Sequence, residues 1–180
     1  VGEVTMPAPI DREVLIRVSY AALNRMDLLQ AKNANTPLPP GCSTIIGVEV
    51  SGSVIAVGPA CEGPLKVGDR VMALLNGGGY AEFCCADERM VMPVREPLSM
   101  AVACAIPEAF ITAYKLLFVV ARLRPGQRVL VHAAASSVGQ AAIQLAVRKG
   151  IVVYATSRTP AKCELCRRLG GLRLVRSIYR

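Results

Sequence analysis

The sequence predicts an α/β protein in two parts. Residues 1–100 form an antiparallel β domain folded as a partly open barrel, and residues 101–180 form an incomplete doubly wound parallel unit. Three observations predict it. Pro and Gly punctuate the first hundred residues, and the runs between the breaks are short and rich in β-branched side chains. From about residue 98 the apolar period lengthens to that of helices. Thereafter strand and helix patterns alternate through loops so short that only a parallel crossover fits, and its hand is right-handed.

Four strand runs follow one another in the first part: EVLIRVSYAAL, TIIGVEVSGSVIAVG, DRVMALL and YAEFCCA, bounded by turn chemistry such as PPG, VGD and NGGG. Between the first two, NRMDLLQAKNANTPLPPG opens as a short helix that must stop before its prolines. LSMAVACAIPEAFITAYKLLFVVARL carries two helices, with Pro107 at the start of the second, where its missing N–H costs nothing. Then come strand RVLVHAA, helix SVGQAAIQLAVRKG, strand IVVYATS and helix TPAKCELCRRLGG, the last closed by glycines. The final LRLVRSIYR has the length of one more strand, although its charges do not suit burial on both faces. A doubly wound sheet normally carries about six strands, so the chain reads as cut short partway through that fold.

Bulk composition narrows the function classes. With 180 residues and 53% hydrophobic content the chain has ample material for a packed core. It lacks both an uninterrupted apolar stretch of membrane length and a signal peptide's basic-then-apolar opening, so a cytoplasmic protein with no membrane partner is expected. Seven cysteines, an odd number, suit reduced thiols better than a disulfide framework. Cys163 and Cys166 form a CxxC, but with no second such pair and a single His a closed metal site is hard to assemble, and no metal is expected. The net charge of +8 is unevenly spread: residues 1–121 hold nine Lys/Arg against twelve Asp/Glu, residues 122–180 twelve against one. A basic half of this kind attracts nucleic acid, an anionic surface or a phosphorylated cofactor. At 4% aromatic content a stacking platform for single-stranded nucleic acid is poorly supplied.

The stretch VLVHAAASSVGQAAIQLA, residues 129–146, runs from a strand through small residues into a helix, the place where a dinucleotide pyrophosphate rests on free backbone N–H groups. An NAD site wants a carboxylate at the end of the next strand. That position reads Ser157, Arg158, Thr159, with Lys162 one turn into the next helix and no acid nearby. Cations and hydroxyls there suit a 2′-phosphate, hence NADPH. The competing reading is a solvated basic helix end.

The segments ALNRMDLLQ (22–30), PPGCSTIIGVEVSGSVIAVGP (39–59), KVGDRVMALLNGGGYAEF (66–83), AIPEAFITAYKLL (105–117) and VLVHAAASSVGQAAIQLA together resemble the ζ-crystallin-like NADPH:quinone oxidoreductases, with their tumour-suppressor-inducible branch nearest. These belong to the medium-chain dehydrogenase/reductase superfamily. The resemblance implies a GroES-like β-barrel domain followed by a Rossmann domain, here incomplete. It is to the zinc-free branch: the segment LNRMD stands where zinc alcohol dehydrogenases place a catalytic Cys, and GVEVSG lacks the His of their GHE motif.

It further implies hydride delivery from NADPH to a quinone or similar conjugated carbonyl, and a homodimer in the full-length family. By the same resemblance Asn24 faces the nicotinamide and substrate, Thr112 lies near the cofactor and Lys162 takes its phosphate; Ser136, Ser137, Val138 and Gly139 of the loop, with Ser157 and Arg158 from the charge reading above, complete the residues expected to bind it. Read from chemistry alone, Asn24 is a turn or cap residue, Thr112 a helix hydroxyl bonded to its own backbone, and Asp27 structural. Related reductases carry glycines at Ser136 and Ser137, or at one of them and Ala134. Any Cβ there pushes the pyrophosphate outward, so NADPH binding is expected to survive but weaken. His132 reads as a satisfied core histidine. An active-site Tyr of the family is replaced by Asn35 or Thr36, and a later phosphate-side Tyr falls at Ser177, two places before Tyr179. The alternative function is a catalytically weak or inactive family member that acts as a binding subunit or binds RNA through its basic half.

Overall fold

A computed structural model describes residues 2–32 and 41–171, and the backbone of 173–176. It divides after Pro107 into two units, each with its own core.

In the first unit five strands form one antiparallel sheet: β1 (Glu13–Ala21), β2 (Glu49–Val57), β3 (Arg70–Leu74), β4 (Phe83–Asp87) and β5 (Val91–Pro93), in the order β4-β1-β2-β3-β5. Val14, Ile16, Val50, Val54, Val71 and Ala73 supply the centre of the core, each at most 1% exposed. Burying side chains of this size stabilises by about 1.5–3 kcal/mol apiece. The four runs read from sequence are all strands, but the second starts only at Glu49. Before it the chain turns at Gly47, whose φ is +104° and where a Cβ would stand 2.6 Å from the Tyr80 ring, so only glycine fits. The three-residue β5 was too short to show a period. Helix α1 (Arg25–Lys32) follows β1 directly. Helix α2 (Met100–Ala103) stays with this unit, because the buried Ser51 hydroxyl donates to the Met100 carbonyl at 2.7 Å.

The second unit holds three parallel strands, β6 (Arg128–Val131), β7 (Val152–Ser157) and β8 (Arg173–Arg176), in that order. The charged C-terminal stretch is therefore a strand over part of its length. Helix α3 (Pro107–Tyr114) runs into a wider turn, Lys115–Val120, in which Ala121 N–H bonds the Leu116 carbonyl at 3.0 Å. Helix α4 (Ser137–Arg148) crosses from β6 to β7, and α5 (Pro160–Arg168) from β7 to β8. Ala141, Ile143 and Ala146 of α4 pack on Val153 and Ala155 of β7, all at most 1% exposed. Ala, rather than larger side chains, lets the helix approach the sheet closely. Among the described residues no helix is long and apolar enough to cross a membrane.

Candidate functional site

The turn between β6 and α4 is built from small residues under tight constraint. Ala133 takes φ +49°, a left-handed conformation that costs a non-glycine residue about 1–2 kcal/mol. It is held there by Ser136 N–H, which donates to its carbonyl at 2.9 Å. The next residue, Ala134, is fully buried, and its N–H donates to the Thr156 carbonyl of β7 at 3.0 Å. Ser136 is the N-cap of α4: its backbone is extended and its hydroxyl accepts from Gly139 N–H at 3.2 Å. Ser136 and Ser137 are both exposed, Val138 packs half-buried on the core, and Gly139 is buried. A Cβ on Gly139 would meet Ala134 Cα and O at 2.6 Å, so this glycine serves the contact between helix and turn.

The same end of the sheet receives the residues read as the 2′-phosphate site. Ser157 ends β7 and is 5% exposed, while Arg158 and Lys162 are exposed. Thr159 caps α5 by accepting from Lys162 N–H at 3.4 Å, with Pro160 in the first turn. The hydrogen bond from Ala134 to Thr156 ties the turn before α4 to the end of β7, from which Ser157–Lys162 continues. His132 joins them. It is exposed rather than part of the core, since the strand ends at Val131, and its Nδ1 lies 3.1 Å from the Thr156 hydroxyl. Thr112 lies half-buried on α3, next to the fully packed Ala113.

Asn24 lies in the first unit, just before α1, and is half-buried inside a polar cluster. Its backbone N–H donates to Asp27 Oδ2 at 2.6 Å and its side-chain Nδ2 donates to Glu49 Oε1 at 2.8 Å. Tyr80 closes the cluster, its hydroxyl 2.8 Å from the same Asp27 oxygen and 3.2 Å from the Ala22 carbonyl. One proton serves both, and the carboxylate is the stronger acceptor. Asp27 and Glu49 are 4% and 2% exposed. Burial, then the hydrogen bond to Asp27, then the charges of Asp27 and Glu49 push the Tyr80 hydroxyl up to about 12. Burial and the nearby Glu49 likewise raise the Cys104 thiol.

Asp27 is thus structural in the sense that it holds Asn24. Glu49 and Tyr80 were missed. The signal for Glu49 was an acid inside the otherwise apolar run GVEVSGSVIAV, since an acid in a buried strand demands a partner. Nothing in sequence marked Tyr80, which reaches the cluster only through the loop pairing of Gly79 and Tyr80 N–H with Gly47 and Ile46 carbonyls. The positions compared with family tyrosines, Asn35, Thr36, Ser177 and Tyr179, lie outside the described residues.

The alcohol dehydrogenase GroES-like domain family matches residues 10–96, which is the five-stranded unit. A human protein, synaptic vesicle membrane protein VAT-1 homolog-like, is 41% identical over 155 residues, 86% of this chain and 36% of the relative. The first unit thus carries an alcohol dehydrogenase GroES-like domain, and the chain is similar to medium-chain dehydrogenases and reductases. Among solved structures, the CurK enoyl reductase superposes with a TM-score of 0.85 at 32% identity, covering 99% of this chain and 55% of that one. A mycobacterial quinone oxidoreductase gives 0.86 at 31%, over 97% and 53%. A mycobacterial relative in complex with NADPH gives 0.86 at 30%, over the same shares. The chain therefore spans about half the length of these solved relatives and little more than a third of the human one. The two-part fold read from sequence, a GroES-like domain leading into a Rossmann-type unit, is shared with these solved relatives, among them quinone oxidoreductases and an enoyl reductase.

Proposed function

We propose that this chain is the part of an NADPH-dependent, zinc-independent reductase of the ζ-crystallin type that carries the cofactor's phosphates and the polar residue of the reacting centre. The observation that carries the reading is the end of the parallel sheet, where the Ala134–Thr156 hydrogen bond joins the turn leading into α4 to the end of β7, after which Arg158 and Lys162 are exposed. It fits the diphosphate and the 2′-phosphate of NADPH. The N-terminus of a twelve-residue helix offers partial positive charge and N–H groups to the pyrophosphate. Arg158 and Lys162 offer the charge-assisted bonds a 2′-phosphate requires.

When bound, the nicotinamide supplies a hydride to a quinone or another conjugated carbonyl. The chain's own residues bind and orient: in the second unit Ser136, Ser137, Val138 and Gly139 form the cradle, Ser157, Arg158 and Lys162 select the phosphorylated cofactor and Thr112 supports it, while in the first unit Asn24 is the polar residue that the resemblance assigns to the nicotinamide. Titration with NADPH, with NADH as control, tests this. Saturable binding that prefers NADPH supports it, and replacing Arg158 or Lys162 by Ala should lower that preference about tenfold each. No binding by the folded chain, or equal binding of both cofactors, would refute it.

The enoyl reductase among the structural relatives favours a second acceptor, an α,β-unsaturated thioester. Both acceptors are conjugated carbonyls that take hydride at carbon or oxygen, and turnover of a quinone compared with a crotonyl thioester separates them.

A further inference from the structure

The end of the parallel sheet holds one ring that the phosphate reading leaves unused. His132 is the chain's single histidine and follows directly on Val131, the last residue of β6. In the parallel register Val131 stands beside Ala155, so His132 comes level with Thr156 of β7, and its Nδ1 lies 3.1 Å from the Thr156 hydroxyl. Thr156 is 7% exposed, which makes it a fixed anchor, whereas His132 is exposed. One ring nitrogen is thus engaged on a buried side chain. The other, Nε2, has no protein partner among the described residues.

This bond is not needed to close the sheet. The ladder between β6 and β7 already reaches Val131 and Ala155, and Ala134 N–H donates to the Thr156 carbonyl at 3.0 Å. What the bond does is hold an imidazole against the carboxyl end of β7, the end of an open parallel sheet at which ligands bind. Arg158 follows Thr156 by two residues, so their Cα atoms are at most about 7 Å apart. Lys162 stands in the first turn of α5, and both cations are exposed. The one acid of residues 122–180, Glu164, is already paired with Arg167 and Arg168.

We propose that His132 is a further recognition residue for the 2′-phosphate, donating from Nε2 to one of its oxygens while Thr156 holds the ring at Nδ1. This rests on the cofactor reading above. In the imidazolium both nitrogens donate, Nε2 to the phosphate and Nδ1 to the Thr156 hydroxyl; in the neutral ring Nδ1 accepts from that hydroxyl and Nε2 still donates. The ring is bonded to β7 and not to α4, which assigns it to the phosphate beside Arg158 rather than to the diphosphate at the helix N-terminus. Thr156 is then a positioning residue that acts through the ring.

A single histidine gives one Hε1 signal in nuclear magnetic resonance of the full chain, so the ring reports on itself. Adenosine 2′,5′-bisphosphate is titrated against adenosine 5′-monophosphate, two probes that differ only in the 2′-phosphate. The expected result is a saturable shift with the bisphosphate that the monophosphate does not reproduce. A bisphosphate that binds and moves the signal no further than the monophosphate does overturns the inference and leaves the cofactor reading standing.

Variants separate recognition from a mere clip. His132→Asn keeps an amide where Nδ1 meets Thr156 and removes Nε2, whereas His132→Gln restores a donor at the place of Nε2. His132→Asn should weaken NADPH binding about tenfold, the worth of one charge-assisted hydrogen bond, with NADH affected less than about twofold. His132→Gln should recover most of the loss. Thr156→Val should weaken NADPH binding in the wild type and add nothing in His132→Asn. Unchanged NADPH affinity in His132→Asn, or an equal fall for NADH, overturns the inference, even where Arg158 and Lys162 still set the preference for NADPH. No saturable binding of NADPH by the folded chain overturns the cofactor reading itself, and this inference with it.

Discussion

Gly139→Ala is the substitution whose consequence the geometry fixes most firmly. The added Cβ would lie 2.6 Å from Ala134 Cα, 2.6 Å from Ala134 O and 2.7 Å from Ala134 C, where contacts of 3.4–4 Å are ordinary. All three atoms are backbone, so no side-chain rotation relieves the overlap, and a shift of about 0.8 Å is needed to clear it. Ala134 cannot give way cheaply. It is fully buried, and its N–H holds the Thr156 carbonyl, the bond that ties the cradle turn to β7. Overpacking of this kind costs about 3 kcal/mol, which for a unit of this size lowers the melting temperature by roughly 12–24 °C. Thermal unfolding followed by circular dichroism measures it, with the cofactor absent so that binding does not mask the loss. A fall of less than about 3 °C would show that helix and turn separate without resistance, and the cradle geometry derived above would then be wrong.

Other expectations follow from the same surfaces. Ser136→Ala removes the N-cap of α4 and should cost about 1 kcal/mol, seen as a melting temperature roughly 4–8 °C lower; an unchanged melting point would mean that the hydroxyl does not cap. Ala133→Gly relieves the left-handed alanine and should leave stability unchanged or raise it by up to about 1 kcal/mol, the strain removed being partly offset by the freer unfolded chain; clear destabilisation in a denaturant titration would contradict the φ of +49°. Tyr80, whose ordinary value is 10 and which the fold raises to about 12, contributes stability that is complete below pH 10 and lost as the pH rises towards 12. Absorbance titration should therefore show one tyrosine ionising last, and Tyr80→Phe should flatten stability over that window. Burial raises Cys84 to about 12 and Cys85 to about 11, so both should alkylate far more slowly at neutral pH than the half-exposed Cys42, as peptide mass spectrometry would show.

The strands and helices were legible because period and punctuation carry them. Val14, Leu15 and Ile16 in a row, or the small residues spaced along α4, admit few alternatives. The two turns proposed to hold the phosphates could be singled out for the same reason: each is local, Ser136–Gly139 and Ser157–Lys162 lying on either side of one strand. The cluster at Asn24 could not, since it assembles residues 24, 27, 49 and 80 from one helix start, one strand and one loop. No window of sequence contains it. Tyr80 comes within reach only because Gly47 has no Cβ, and a glycine in such a place is conspicuous only once the ring beside it is seen. His132 was misplaced by its apolar neighbours: flanked by Val131 and Ala133, it looks buried, yet the strand ends one residue before it.

The structure also changes the meaning of the missing glycines. A glycine is required either for conformation or for room. Ser136 is extended at φ −72° and ψ 165°, a conformation any residue adopts, and Ser137 is already in the helix. Conformation is therefore not what the serines forfeit. The residue under conformational strain is Ala133, outside the helix N-terminus. What the serines take is room and one donor: the Ser136 hydroxyl accepts from Gly139 N–H, an N–H that would otherwise be free for a phosphate oxygen. Weakened binding should then come from competition for that donor as well as from bulk, and the two causes separate. Ser136→Ala frees the donor while keeping the Cβ, whereas Ser136→Gly frees both. If Ser136→Ala tightens NADPH binding nearly as much as Ser136→Gly, competition dominates; if only Ser136→Gly does, the Cβ is the obstacle. If neither does, Ser136 stands outside the path of the pyrophosphate.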